Sequence, residues 1–142
     1  MSFDEKSTWI YAVITIVVPG VYLATLVGQL QTTPITEIAY QGPMLATVGL
    51  GVVLAIAAHI AIAISSPKDA DKRDERDTNI NRYGEYIGSL VLYAGMLGAL
   101  GLALAAVEHF WIANAIYSTF VLAGLTTSAV KIVAYRRGFR PW

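Results

Sequence analysis

Residues 44–64 read MLATVGLGVVLAIAAHIAIAI, and only Thr47 and His59 interrupt an otherwise apolar run. A helix in a soluble bundle needs a polar stripe opposite its core face. This segment has none, so in water it would expose apolar surface all round. It is also longer than the ~20 residues that carry a helix across the hydrocarbon core of a bilayer, where a helix satisfies its own backbone groups. Residues 44–64 are therefore expected to be a membrane span.

Three further segments behave alike. Within the 142 residues, the stretches 7–36, 38–67, 86–107 and 109–130 hold no Asp, Glu, Lys or Arg, while 11 of the 20 charged side chains fall in 66–85. The spans read as 9–30, 43–65, 86–107 and 111–135, with a charged connector over 66–85. Pro43 suits a first helical turn, and Pro19 with Gly20 should kink the first span. The acidic flank Asp4, Glu5 argues against a cleaved signal peptide there. Basic residues at span ends stay on the cytoplasmic side. With the N-terminus inside, all 10 Lys and Arg are inside, and the outer connections carry only Glu37 and Glu108. Trp9, Tyr11, Tyr83, Tyr86, Tyr135 and Trp142 would mark the inner interface, and Tyr40, Phe110 and Trp111 the outer one. The expected fold is all-α: one integral membrane four-helix bundle over residues 1–142, N-in/C-in, with antiparallel up-down topology.

Composition also excludes classes of function. There is no cysteine, hence no disulfide, thiolate metal site or cysteine nucleophile. The formal net charge is zero, which gives no basis for direct nucleic-acid binding. No nucleophile with its base, oxyanion site or metal cluster is legible, so no enzyme activity, cofactor or metal is expected.

Helices in lipid associate by close approach over small residues. Candidate rows are Gly20, Ala24, Gly28 in the first span; Gly51, Ala55 in the second; Ala94, Gly98 with Gly101, Ala105 in the third; and Gly124, Ser128 in the fourth. The Gly20 row is the best candidate face for a homo-oligomer. The short link between the third and fourth spans makes them antiparallel neighbours.

Three polar groups are candidate sites. Seven residues in from each inner border lie Thr15, His59, Tyr93 and Thr127, roughly 10 Å deep at 1.5 Å per residue. This level is expected to form one polar layer. His59 would face the interior and bond to Tyr93 or a threonine, since an ionisable side chain turned to lipid is costly. The layer either fixes helix register or serves a proton or ligand. At the outer end, Glu108, His109 and Asn114 either cap and start helices at the water interface or form an ion or ligand site. In the connector, nine of the ten residues 68–77 are charged, and Ser66-Pro67 is a helix start signal. Lys72, Asp74, Glu75, Arg76 and Asp77 there are candidate docking residues for a cytoplasmic protein, the alternative being a solvated helix.

The run Asp74, Glu75, Arg76, Asp77, Ile80, Gly84 resembles the D-E-R-D-x-x-I-x-x-x-G signature of small four-span membrane proteins of bacteria and archaea. Residues 108–115 and 131–138 resemble actinobacterial members. The resemblance implies a prokaryotic cytoplasmic membrane and, as cytoplasmic partner, a small regulator. It assigns no catalytic residue. The function expected is a non-enzymatic membrane scaffold or sensor that docks a partner through 66–85. The alternative is a small transporter or oligomeric channel built on the layer around His59. The first span lacks the acidic residue that small multidrug transporters use.

Overall fold

The structure is a computed structural model and describes residues 3–65 and 75–138. It contains four long helices: α1 (Phe3–Leu30), α2 (Gln41–Ser65), α3 (Glu75–Leu104) and α4 (His109–Arg137). A short 3₁₀ turn, Ile35–Glu37, links α1 to α2. All four helices are long and apolar enough to cross a membrane. The accessible surface is 9199 Å², against about 7,100 Å² for a compact soluble monomer of 15.3 kDa. Large apolar side chains are exposed on every helix: Ile16, Val53, Leu97 and Phe120 are each more than half exposed. Chain packing leaves those faces for hydrocarbon to cover.

The helices outrun the expected spans at the charged end. α3 begins at Glu75, well before Tyr86, because 75–85 contains no Pro, and Glu75 and Asp77 in its first turn face the positive end of the helix dipole. α1 runs unbroken through Pro19, although proline offers no amide to the Thr15 carbonyl. α3 stops at Leu104 because Ala106 takes a positive φ of 51°. The Ala106 amide then donates to the Ala103 carbonyl at 3.0 Å and that of Val107 to Leu102 at 3.2 Å, a Schellman closure without its usual glycine.

Substantial helix pairing is confined to α1 with α2, α1 with α4, and α3 with α4. The order in space is thus α2, α1, α4, α3. α3 and α4 form the most extensive interface and run oppositely: Lys131 lies over Gly84, Thr127 over Gly88 and Thr119 over Gly95. The expected third-span row is corrected here. Gly98 and Gly101 meet no neighbouring atom within 4 Å; Gly84, Gly88, Gly95 and the buried Ala99 make the packed face instead. Both rows have helical spacing, and the side chains of α4 decide between them. Gly20 and Gly28 also have open space around them.

The main apolar cluster lies at the end away from the charges. Tyr22, Leu26, Ile38 and Phe110 are buried there against Met44, Tyr40 and Tyr117. The Tyr22 and Tyr117 rings meet edge-on at 4.9 Å, and Tyr40 meets Phe110 at 5.3 Å. This layer closes α1, α2 and α4 together. Phe110 belongs to it and does not mark an interface.

Candidate functional site

The charged end is built differently. α1 and α3 both pack on α4 and leave a cleft between them. Asp4, Ser7, Thr8 and Tyr11 of α1 form one wall; Asn81, Arg82, Glu85 and Ser89 of α3 form the other. His59 of α2 and Lys131 of α4 complete a groove of about 780 Å³. A second cavity of about 470 Å³ shares Thr8, Tyr11, Glu85, Ser89 and Lys131 with it and extends toward Thr15, Leu92, Phe120 and Thr127. Both volumes are of ligand-site size, ~300–1,000 Å³.

Two contacts fix the mouth. The Asn81 side-chain amide donates to Asp4 Oδ2 at 3.0 Å and latches α3 to α1. The Lys131 ammonium donates to Glu85 Oε1 at 2.6 Å and joins α4 to α3. The lysine side chain is 13% exposed and the glutamate 70%, so the pair leads from the helix interface into water. On the rim, Arg136 sits 5.7 Å above the Trp9 ring, a cation–π contact between α4 and α1.

The expected polar layer divides. Thr15 and Thr127 line the deeper cavity, and Thr15 Oγ1 also donates to the Tyr11 carbonyl at 2.8 Å. His59 is exposed and lines the mouth instead, so the expectation that it faces the bundle interior is corrected. Tyr93 is 63% exposed and lines neither cavity. The cause is rotation: Tyr93 follows Gly88 by five residues, which turns it about 140° away from the face packed on α4. Of the partners expected for His59, Tyr93 or a threonine, Tyr93 is corrected: it faces outward.

The outer cluster also divides. Glu108 precedes α4 without a side-chain cap, and His109 is exposed. Asn114 turns inward, accepting from the Tyr22 hydroxyl at 2.7 Å and donating to the Phe110 carbonyl at 2.8 Å. It belongs to the aromatic layer, which a bond from the Tyr117 hydroxyl to Thr47 Oγ1 at 3.4 Å ties to α2. Of the candidate docking residues, Glu75 and Arg76 are exposed and Asp77 half-buried at the start of α3. Lys72 and Asp74 lie outside the described residues.

Sequence reasoning missed Asp4, Asn81, Glu85 and Lys131 as a group. One signal was present: Lys131 is the sole charge in 111–135, and an ionisable residue inside a span is a site candidate by default. Among the described residues no cluster of three His, Cys, Asp or Glu could hold a metal ion. No family model matches the chain, and no curated protein or solved structure proves similar to it. The class supported by fold and composition is a multi-pass, all-helical membrane protein.

Proposed function

We propose that this chain is a non-enzymatic sensor or scaffold of a prokaryotic inner membrane that works at its charged end. Both termini and the 66–85 connector face the cytoplasm, and the helices alternate up and down. The distribution of all 10 basic residues supports that orientation, and the resemblance of the D-E-R-D run to four-span membrane proteins supports the setting. The observation that carries the reading is the unlike construction of the two ends. A polar groove opens beside the charged residues, while aromatic packing closes the other end. The run containing Lys72, Asp74, Glu75, Arg76 and Asp77 adjoins that groove in sequence and would dock a cytoplasmic protein such as a small regulator.

The lack of cysteine permits a direct test of orientation. Thr36→Cys should react with an impermeant thiol reagent on intact cells and Asn79→Cys only after permeabilisation; the reverse pattern refutes the reading. Docking predicts that Asp74→Lys, Glu75→Lys and Asp77→Lys together abolish partner capture, and unaltered capture counts against it.

Transport is a second reading, supported by the reach of the groove to Thr15 and Thr127. It requires the Tyr22–Tyr117 layer to part. Distances between spin labels at Thr36→Cys and His109→Cys that stay fixed when a groove ligand is added would speak against it.

A further inference from the structure

The groove and its deeper extension form one amphipathic cleft, and its charges specify what it can hold. At the mouth, Arg82 and Lys131 stand against Asp4 and Glu85. Arg82 has no ion pair among the described residues. Asp4 and Glu85 use one carboxylate oxygen each, Oδ2 and Oε1, in their bonds to Asn81 and Lys131. Farther in, the lining turns to Leu92, Phe120 and Ala123 between α1 and α3. A polar head at the mouth and a hydrocarbon chain along the extension match this gradient. At the cytoplasmic end of a span, such an amphiphile is a lipid of the inner leaflet.

The sign balance selects the headgroup. A purely anionic head would satisfy Arg82 and Lys131 but set its phosphate against Asp4 and Glu85, and such like-charge juxtaposition is costly. A choline head has no N–H to give a carboxylate. A phosphate joined to a primary ammonium provides an opposite partner for all four side chains, with three N–H donors for the two carboxylates. We propose that the cleft between α1 and α3 binds one aminophospholipid of the ethanolamine type, its head between Arg82, Lys131, Asp4 and Glu85 and one acyl chain along Leu92 and Phe120. This assignment rests on the reading that the charged end lies at the cytoplasmic headgroup level.

The test uses the full chain in a non-phospholipid detergent, offered phosphatidylethanolamine, phosphatidylglycerol and phosphatidylcholine of identical acyl chains, with native mass spectrometry counting retained lipid. The ethanolamine lipid should be retained about tenfold or more over the others, the effect of a charge-assisted hydrogen bond. Glu85→Gln should erase most of that preference, and Lys131→Met, which removes a partner of the phosphate that all three lipids share, should lower the retention of all three. Ser89→Phe fills the junction of the two cavities and keeps all four charges; it should remove the adduct, and it keeps the proposal falsifiable where loss of Lys131 unfolds the bundle. Equal retention of the three lipids, preference for the glycerol lipid, no retained lipid by a folded chain, or an adduct that survives Ser89→Phe would each overturn the assignment. Displacement by millimolar glycerophosphoethanolamine would overturn the lipid source in favour of a soluble zwitterion. Thiol labelling tests the orientation separately, so failure of one reading is distinguishable from failure of the other.

Discussion

The Lys131 side chain crosses α3 directly over Gly84: a Cβ at that glycine would run into Lys131 Cγ and Cε. The crossing carries Nζ to 2.6 Å from Glu85 Oε1, on the neighbouring residue. A lysine stem is apolar and lies along apolar surface while its ammonium seeks water. Here the absence of a side chain at Gly84 provides the channel in which the stem lies.

Gly84→Ala should therefore destabilise the chain through Lys131. Overpacking of this kind costs about 1–3 kcal/mol, and the ion pair adds under about 1 kcal/mol because Glu85 is largely exposed. In a Lys131→Ala background the same substitution should cost close to nothing. Thermal unfolding of the four proteins in detergent completes the cycle. An undiminished cost without Lys131 would show that the contact is not the cause.

Two glycine rows on α3 should respond oppositely to alanine. A Cβ at Gly88 would overlap Thr127 Oγ1 and come within 3.2 Å of the Ala123 carbonyl oxygen; at Gly95 it would overlap Thr119. Gly88→Ala and Gly95→Ala should each lose about 1–3 kcal/mol. Gly98→Ala and Gly101→Ala enter open space and should be neutral or gain up to about 1 kcal/mol from helix propensity. Ranking the four unfolding temperatures checks the assignment of the packed face.

These glycines also show what a single chain can reveal. Uncharged segments bounded by charge give the number and positions of the helices, because lipid imposes that pattern whatever packs on what. Which face packs is another matter. Gly98 and Gly101 have helical spacing like the packed glycines, and only the placement of Lys131, Thr127 and Thr119 of α4 against Gly84, Gly88 and Gly95 distinguishes the two rows. In the site, depth along the axis was countable and rotation about it was not, which separates Tyr93 from Thr15 and Thr127. Glu85 and Lys131 lie 46 residues apart, and no spacing rule joins them. Connector residues Lys72 and Asp74 lie outside the described residues.

The aromatic layer offers a test of polar bonding at the far end. Tyr22 is 1% exposed, and its hydroxyl reaches Asn114 Oδ1 at 2.7 Å. Tyr22→Phe keeps the ring contact with Tyr117 and removes the bond. It should cost about 0.6 kcal/mol, the mean for hydrogen bonds between membrane helices, and under about 2. Tyr22→Ala also empties a filled volume and should cost about 3–5 kcal/mol. Equal losses for the two variants would mean that the hydroxyl, rather than the ring, holds α1 to α4.

The turn between α3 and α4 holds a residue that chemistry would not choose. Ala106 sits at φ 51° and donates to the Ala103 carbonyl, while Val107 reaches Leu102. The left-handed region costs an L-residue roughly 1–2 kcal/mol, and the usual occupant of this position in a Schellman closure is glycine. Ala106→Gly relieves that cost and adds unfolded-state entropy worth about 0.4–1 kcal/mol in the other direction. The net expectation is a gain of up to about 1 kcal/mol, read as a higher unfolding temperature in detergent. Ala106→Val, β-branched at a positive φ, should lower it. The opposite order would mean that the turn does not pass through the left-handed region at Ala106.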